Sequence, residues 1–342
     1  MTAGIDLYLR CDGSARLGLG HVVRSVALAE AAARRRMLVR FVMREDAHAS
    51  DIPRAHGFPV DVLPAALPSG EEAAWLAARA SGTPRAWFVV DGYHLGGLVP
   101  ALRARGARVC AVCDDPAGPG AAAQADLLVN PSPAAITEAD ADGRRLLVGP
   151  RYAPLRASFR RARLGRTTAG QKPWPRLLLL SGGSDVAGLT VRVLGALRAA
   201  ATLPPFEIVI VLGPSSPAPP PELVVGEVVR APRDMAALMA SADLAITAAG
   251  TSVLELACLG VPALMVTVVG NQAGVAAALE AAGAGLDLGP CDALTPPALL
   301  HALARAARER DAWSAAARAL VDGGGARRVV AALCRLQAEE TP

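Results

Sequence analysis

Residues 5–30 read IDLYLRCDGSARLGLGHVVRSVALAE and combine a strand, a glycine-rich turn and a helix. The apolar run 5–9 predicts a buried strand, and the segment from His21 to Glu30 has the composition of a helix. A strand that leads through a tight turn into a helix is the unit from which parallel α/β sheets are built. In such sheets ligands bind at the carboxyl ends of strands, beside helix N-termini. His21 lies at that place, and because a histidine side chain can take or give a proton near neutral pH, it is the first candidate for catalysis.

Short apolar runs alternate with alanine-rich amphipathic segments along the rest of the chain. The runs that predict strands are 5–9, 39–43, 87–90, 108–113, 127–129, 176–180, 208–212, 244–246 and 263–268. The segments that predict helices are 21–36, 71–80, 97–105, 189–200, 233–240, 252–259, 273–282 and 296–306. This alternation indicates parallel sheets with helices on both faces, so the expected fold class is α/β.

One polar, basic segment interrupts the alternation. Residues 160–175 end in KPWP, and a new strand and glycine-rich turn follow at once. A chain of 342 residues is long enough for about two domains, each with its own core. We therefore interpret 1–160 as one Rossmann-like domain, 161–175 as a linker and 176–342 as a second Rossmann-like domain.

Composition excludes several classes of protein. Hydrophobic residues make up 52% of the chain and charged residues 19%, which indicates a compact fold. No apolar run approaches the ~18 residues that a membrane-spanning helix needs. Residues 1–6 lack a basic region followed by an apolar stretch, so we expect no signal peptide, a cytoplasmic location and free thiols.

Cys110 and Cys113 have the CxxC spacing of a metal or redox pair, but they lie in a predicted strand and no second pair completes a zinc site.

The net charge of +4 does not indicate a nucleic-acid partner. The basic residues are nearly all arginine, with Lys172 as the only lysine, and aromatic residues are 4% of the chain. No arginine cluster is interleaved with aromatic side chains that would stack on bases. We therefore expect no nucleic-acid partner.

Two turns in the second half are of the kind that binds phosphate. Residues 181–185 read SGGSD between a predicted strand and a predicted helix. Gly182 and Gly183 leave their backbone N–H groups accessible to a diphosphate, and Ser184 adds a hydroxyl. The alternative is a tight turn that binds nothing. Residues 249–252 read AGTS and open the next predicted helix, where the N–H groups of the first turn form an anion site.

Glu255 has two possible roles. It follows Ser252 by three residues, which is the spacing of a capping box, so it caps the helix or else accepts hydrogen bonds from the two hydroxyls of a ribose. Asn271 and Gln272 open a further helix, where they serve either as cap residues or as contacts in the same cavity.

The residues from Gly250 to Pro262, with Asn271 and Gln272, resemble the nucleotide-sugar signature of GT-B proteins. The chain as a whole, over about 8–290, resembles the UDP-sugar hydrolases of pseudaminic acid biosynthesis. The matching pieces, in order, are Arg10-x-Asp12, Gly18-x-Gly20-His21-x-x-Arg24, Val90-Asp91-x-Tyr93, Asp114-Asp115, GPRYAxLR at 149–156 and Gly182-Gly183-Ser184-Asp185. The chain departs from many of these hydrolases at 91–94, where it reads DGYH, and after Asp185, so the exact sugar stays open.

The resemblance implies a GT-B fold whose two domains face an interdomain cleft, with the last helix, from about 325 to 337, packing back on the first domain. It implies hydrolysis without metal or cofactor of the anomeric C–O bond of a UDP-linked diacetamido-trideoxy sugar, with inversion, for nonulosonic acid biosynthesis. His21 would be the general base. The residues implied to bind UDP are Gly182, Gly183, Ser184, Gly250, Thr251, Ser252 and Glu255. Those implied to bind the sugar are Arg10, Asp12, Gly20, Asp91, Tyr93, Arg151, Tyr152, Asn271 and Gln272.

Other readings remain open on the sequence. The alternative role of His21 is only to orient a hydroxyl or to cap its helix, and Asp12, Asp91, Tyr93 and His94 are equally compatible with structural roles in turns. The main alternative function is a GT-B glycosyltransferase that moves an amino sugar from UDP to an acceptor, and a second is a nucleotide-sugar-binding protein without catalysis. We interpret the DxD pattern at 140–142 as a surface loop and not as a metal site.

Overall fold

The computed structural model describes residues 6–14, 16–83, 85–114, 118–134, 145–166, 175–199 and 206–339. The chain divides into two compact units, Met1–Ala157 with Gly323–Pro342, and Ser158–Asp322. Each unit has one parallel sheet with helices on its faces, so the predicted fold class, α/β with two Rossmann-like parallel-sheet domains, is confirmed.

Strands and helices are numbered in chain order. The strands are β1 Leu7–Cys11, β2 Val39–Met43, β3 Val60–Val62, β4 Trp87–Asp91, β5 Arg108–Val112, β6 Leu127–Asn130, β7 Arg145–Val148, β8 Arg176–Leu180, β9 Glu207–Leu212, β10 Glu227–Arg230, β11 Leu244–Ala248, β12 Ala263–Thr267 and β13 Gly285–Pro290. The α-helices are α1 Gly20–Ala33, α2 Ala47–Ala55, α3 Glu72–Arg79, α4 Leu98–Arg103, α5 Ala157–Gly165, α6 Leu189–Arg198, α7 Met235–Ala240, α8 Ser252–Leu259, α9 Ala273–Ala281, α10 Pro296–Leu320 and α11 Gly325–Glu339.

Both sheets reverse their strand order near the middle. The first has the order β3-β2-β1-β4-β5-β6-β7 and the second β10-β9-β8-β11-β12-β13. The chain winds outward in one direction from β1 and in the other from β4, and it does the same from β8 and β11. Connections on the two sides of such a reversal diverge, which leaves a crevice at the carboxyl ends of the two central strands. The first sheet therefore has its crevice at β1 and β4, and the second at β8 and β11.

The first sheet is buried on both faces. Leu7 and Leu9 of β1 pack with α1 and α11 in one apolar cluster, and Tyr8 between them packs in a second cluster with residues of α3 and α4. This is the two-residue alternation of a strand covered by helices on both sides. In the second sheet, Leu177 and Leu179 of β8 likewise pack with α6 and α10.

Several elements differ from the sequence prediction. Helix α2 and strands β3, β7, β10 and β13 were not predicted, and α5 begins before the segment interpreted as a linker. Strand β10 is an edge strand, and most of its side chains are exposed, so it shows no apolar alternation. Helix α2 was missed because it contains Pro53, a residue that normally interrupts a helix. Its first turn is nevertheless capped by the Asp46 carboxylate.

Helix α10 runs to Leu320, well beyond the predicted end at 306. Its middle is charged, and it is held by Arg305, which bonds to Glu309 one turn later, while the indole N–H of Trp313 donates to the same Glu309. Such i,i+4 pairs stabilise a helix without an apolar pattern.

Within the described parts of the chain, no helix is both long and apolar enough to cross a membrane.

The start of α11 depends on a glycine. A Cβ on Gly325 would lie 2.1 Å from the Ala153 carbonyl oxygen and 2.5 Å from the Tyr152 carbonyl carbon, both backbone atoms. We predict that Gly325→Ala lowers the free energy of unfolding by about 1–3 kcal/mol, because the helix must move away from residues 152–153. Urea unfolding followed by circular dichroism measures this.

Gly97→Ala is the matched control in the same unit, since no atom lies within 4 Å of a Cβ built there. Equal destabilisation by the two substitutions would contradict the proposed close contact at Gly325.

Candidate functional site

Polar side chains of the first unit meet at the crevice between β1 and β4. Asp12 follows β1, and Asp91 is the last residue of β4, paired in register with Cys11. His21 lies in the first turn of α1, and Tyr93 and His94 lie in the short 3-10 helix after β4. The turn 12–20 and the turn 92–97 therefore bring these groups together, although about 70 residues separate them along the chain.

His21 and Asp91 form a histidine–carboxylate pair. The Nδ1 atom of His21 lies 2.8 Å from Oδ1 of Asp91, and the Asp91 side chain is fully buried. Burial by itself would raise the pKa of Asp91, but the charge of Arg24 and the contact with His21 outweigh it and lower that pKa. Nη2 of Arg24 also lies 3.0 Å from Nδ1, and a hydrogen bond to the ionised Asp91 forms in the tautomer that carries its proton on Nδ1. In that neutral tautomer Nε2 of His21 keeps its lone pair, as a general base requires.

Arg24 holds the carboxylates of this cluster. Its Nε and Nη2 donate to the two oxygens of Asp91 at 2.7 and 2.6 Å, and its Nη1 donates to Asp114 at 2.6 Å. Burial would raise the pKa of Asp114, but Arg24 and the Tyr93 hydroxyl lower it to about 2. A buried guanidinium between two carboxylates keeps all three groups charged. Arg24 thus fixes the position of Asp91, and Asp91 fixes the ring of His21.

Tyr93 completes the surface around the histidine. Its hydroxyl donates to Asp114 at 2.9 Å, and its ring lies edge-on to the His21 ring with centroids 5.1 Å apart. Tyr93 is 46% exposed. It therefore presents a polar, partly exposed surface next to the ring of His21.

A second histidine–carboxylate pair crosses the first. In this second pair, Nε2 of His94, which follows β4, lies 2.9 Å from Asp12, which follows β1. In the first pair the order is reversed, because the histidine, His21, follows β1 and the carboxylate, Asp91, ends β4. Asp12 also accepts from Arg10 and from the backbone N–H of Arg44. The pKa of Asp12 is lowered, because the His94 and Arg10 contacts outweigh its burial. The two crossed pairs tie the two turns to one another.

Arg10 takes a supporting position. Its side chain is fully buried and donates to Asp12 and Glu72. Arg10 is therefore too buried to touch a sugar directly, and it would act on a sugar only by positioning Asp12. Gly20 is the first residue of α1, directly beside His21.

In the second unit, the loop 181–185 follows β8 and precedes α6. Asp185 has a left-handed backbone (φ 48°), and its carboxylate accepts from the N–H groups of Leu189 and Thr190 at 2.8 and 3.1 Å. The N-terminus of α6 is thus capped by the chain's own carboxylate. Gly182 and Gly183 lie against Gly213, where a Cβ would come within 2.4 Å of both of their carbonyl oxygens. Any anion at this loop would be bound by the N–H groups of 182–184 and not by the end of α6.

The turn 249–252 leads from β11 into α8. The N-cap of α8 is Thr251, and its side chain makes no capping hydrogen bond. Ser252 is already inside the helix, so it is not the N-cap residue that the suggested capping box with Glu255 needs. Within the described residues, no acceptor takes up the N–H groups of Thr251 and Ser252. Glu255 is 6% exposed and lies one turn into the helix. Gln272 lies beside this turn, with its Nε2 atom 3.5 Å from a Cβ built on Gly250.

Gln272 and Asn271 belong to a short 3-10 helix before α9. The side-chain oxygen of Gln272 accepts from the N–H of Val268 at 3.0 Å, which turns its amide nitrogen toward the 249–252 turn. Gln272 therefore lies beside the α8 turn, and its role as a ligand contact there stays a prediction.

The opposite end of α8 is surrounded by arginines. Arg163 donates to the carbonyl of Cys258, Arg166 to those of Leu259 and Gly260, and Arg318 to that of Leu259. Cations at a helix C-terminus stabilise its dipole. Arg163 and Arg166 come from the segment that sequence analysis treated as a linker. The N-terminal end of α8 has no basic side chain of this kind within the described residues, and Glu255 is the acidic residue of its first turn.

Arg151 and Tyr152 lie elsewhere in the first unit. They form a 3-10 helix after β7 and line a groove with the last turns of α1 and one face of α11. His21 is at the other end of α1, about 20 Å away at 1.5 Å per residue. The structure thus separates these two predicted sugar contacts from the histidine.

Two further predicted features concern metal binding. Cys110 is buried in β5, as predicted, and Cys113 follows that strand; neither is joined in a disulfide. Asp115 and the pattern at 140–142 lie outside the described residues. Among the described residues there is no group of three or more His, Cys, Asp or Glu side chains that could hold a metal ion.

Known proteins resemble this chain in sequence and in fold. Residues 177–323 match the glycosyltransferase family 28 C-terminal domain. A relative from Bacillus subtilis, the spore coat polysaccharide biosynthesis protein SpsG, is 33% identical over 207 residues, which is 57% of this chain and 60% of that protein. The MurG structure from Acinetobacter baumannii has a TM-score of 0.71 at 18% identity and covers 96% of this chain and 99% of its own. The spinosyn forosaminyltransferase SpnP has a TM-score of 0.71 at 16% identity, covering 98% and 100%.

These similarities establish the GT-B fold and correct one prediction. The expected hydrolase activity is wrong: the matched domain is a glycosyltransferase domain, and SpnP, with the same fold, is a transferase. Water and an acceptor hydroxyl are activated by the same kind of base, so the motif around His21 did not distinguish hydrolysis from transfer.

We predict that Asp114 stabilises the fold only above acidic pH. Because its folded pKa of about 2 lies below its ordinary value of 3.8, its stabilisation is present above that value and is lost as the pH falls toward 2. Asp114→Asn should lower the free energy of unfolding by about 2 kcal/mol at pH 7, and the difference from the unsubstituted protein should shrink below pH 4. Urea unfolding at several pH values measures this.

Asp51→Asn serves as the control, since its carboxylate is 73% exposed and pairs only with Arg54 three residues away. The Asp114 proposal would be wrong if the difference at Asp114 stayed constant from pH 7 to pH 3.

Proposed function

We propose that this protein is a GT-B glycosyltransferase that transfers an amino sugar from UDP to an acceptor. The observation that carries the proposal is the start of α8, where the open N–H groups of Thr251 and Ser252 lie one turn from the buried Glu255. This turn lies inside the region that matches a glycosyltransferase domain. The donor would be bound by the second unit, and the first unit would supply the base.

The α8 turn supplies the charge that a diphosphate needs. A helix N-terminus carries about half a positive charge, and the N–H groups there donate to phosphate oxygens. The three arginines at the other end of α8 stabilise the opposite pole of the same dipole. As the C1–O bond to UDP breaks, negative charge grows on the diphosphate, and a preorganised site of this kind stabilises it. Gly182, Gly183 and Ser184 are the second candidates for this contact.

Glu255 would bind the ribose. A carboxylate accepts from two neighbouring hydroxyls at once, and charge-assisted hydrogen bonds of this kind are the strong ones. Gln272 lies beside the same turn and would contact the sugar or the phosphate.

His21 would act as the base toward the acceptor. Its Nε2 takes the proton of an acceptor hydroxyl while that oxygen forms a bond to the anomeric carbon and UDP leaves with the electrons of the C1–O bond. The positive charge that appears on the ring faces the ionised Asp91 at 2.8 Å, which stabilises it. Attack opposite the leaving group inverts the anomeric centre.

A pocket of the first unit suits the acceptor, and its lining includes Tyr93, whose ring packs edge-on against His21. It has a volume of about 290 Å³ and is lined by Tyr93, His94 and the small residues of the turns after β4 and β5. Asp12 and Asp91 would orient the two histidines. The part that SpsG has in making a spore coat polysaccharide supports a carbohydrate as the acceptor.

We predict that His21→Ala lowers kcat for transfer by about 10²- to 10⁴-fold and changes KM for the donor little, because the base acts after binding. The assay follows UDP release from UDP-N-acetylglucosamine with and without a panel of mono- and disaccharide acceptors. His301→Ala, an exposed position on α10, should behave like the unsubstituted protein.

Three outcomes would overturn the proposal. They are UDP release that is independent of acceptor, tight UDP binding without turnover on any acceptor, and full transfer by the His21→Ala variant.

A second prediction concerns Glu255. We expect the protein to bind UDP at least tenfold more tightly than deoxy-UDP, and Glu255→Gln to bring that ratio close to one, since loss of a charge-assisted hydrogen bond costs about 1.5–3 kcal/mol. Isothermal titration calorimetry with both nucleotides measures it. Glu280→Gln, on the surface of α9, is the control. An unchanged ratio in Glu255→Gln would place the ribose elsewhere.

A further inference from the structure

An arginine groove lies in the first unit, away from the histidine pairs. It has a volume of about 470 Å³ and runs between the end of α1, the 3-10 helix after β7 and one face of α11. Six of its ten lining residues are arginine and none is acidic; the arginines are Arg34, Arg35, Arg151, Arg327, Arg328 and Arg335. The floor between them includes Leu147 and Tyr152.

Three parts of the chain contribute to this concentration of charge. On α11, Arg327 and Arg335 are eight residues apart, with Ala331 halfway between them, so they lie on one face of the helix. Arg328 donates to the backbone carbonyl of Arg151 at 2.8 Å, which ties the 3-10 helix to α11. The groove is therefore built by packing, since its arginines are far apart in sequence.

Five of the six groove arginines have no carboxylate partner in the part of the chain that the structure describes. Within the described residues, Arg34, Arg35, Arg151, Arg327 and Arg335 form no ion pair with a carboxylate. Other arginines of the same unit do: Arg40 pairs with Asp61, Arg103 with Asp126, and Arg145, on the strand next to the groove, with Glu339. Like charges that share a concave surface repel one another and raise the local concentration of anions. Such an arrangement costs stability unless an anion occupies it.

The geometry points to a ligand with closely spaced phosphate groups. Guanidinium forks bind phosphate oxygens in pairs, and several forks around one concavity match a diphosphate better than a single carboxylate. The volume lies within the range of small-molecule sites. We propose that this groove binds a diphosphate, either free or as the head group of a lipid, at a site separate from the proposed nucleotide site on α8. The proposal goes beyond the proposed function and does not depend on it.

The groove is tested by calorimetric titration of the full chain with inorganic pyrophosphate, in the presence of excess UMP, which fills a nucleotide site but carries no diphosphate that would compete for the groove. The test variant is Arg327→Gln/Arg335→Gln, in which neither residue belongs to the proposed catalytic or donor-binding groups. We expect it to bind pyrophosphate at least tenfold more weakly than the unsubstituted protein, and we expect the affinity of the latter to fall steeply with salt. Transfer by the variant from UDP-N-acetylglucosamine should be retained.

The control is Arg85→Gln/Arg308→Gln, which removes the same charge from two exposed arginines outside the groove. Its affinity should stay within twofold of the unsubstituted protein. If both double variants weakened pyrophosphate binding equally, the effect would come from the net charge of the protein and not from the groove, and the proposal would be overturned. So would the lack of saturable pyrophosphate binding in the unsubstituted protein, or unchanged binding in Arg327→Gln/Arg335→Gln.

Vesicles distinguish the two sources of the phosphate groups. Capture of the protein by phosphatidylcholine vesicles that contain a polyprenyl diphosphate, reversed by pyrophosphate and lost in Arg327→Gln/Arg335→Gln, would identify a lipid head group. Pyrophosphate binding without vesicle capture would identify a free diphosphate. Both results support the site.

Discussion

All strands of each sheet run parallel, and this constraint decides where chemistry can occur in this protein. Parallel strands place every carboxyl end at one edge, and the reversal of strand order opens a crevice between β1 and β4 in the first unit and between β8 and β11 in the second. The histidine–carboxylate pairs lie at the first crevice. The loops 181–185 and 249–252 lie at the second. The positions of both sets of polar residues follow from topology, not from any one motif.

Electrostatics then gives each crevice its character. In the first, the buried Arg24 keeps Asp91 ionised, and Asp91 contacts Nδ1 of His21. In the second, α6 is capped by Asp185, whereas α8 keeps its first N–H groups open and has arginines at its other end. Two helices that look alike in sequence as anion sites therefore differ. One is already satisfied by the protein, and the other is available to a ligand.

Much of the fold was predictable because burial leaves a pattern in the chain. Leu7 and Leu9, or Leu177 and Leu179, belong to apolar runs that only a buried strand needs, and α1 and α8 follow such runs directly. The prediction failed where burial is slight: β10 is exposed at an edge, and the second half of α10 is stabilised by Arg305 and Glu309 instead of apolar contacts. The reaction class was also predicted incorrectly, because a base beside an anomeric carbon serves water and a hydroxyl acceptor alike.

By itself the sequence determined the α/β class, the two parallel sheets, and the turns that carry His21 and Thr251. Those features depend on contacts between residues close in the chain and on periodic burial. Only the tertiary structure decided the pairing of His21 with Asp91, the capping of α8 by Arg163, and the gathering of Arg34 and Arg335 into one groove. Each of these joins side chains that are tens to hundreds of residues apart. Their distance and charge environment exist only once the helices have packed on the sheets.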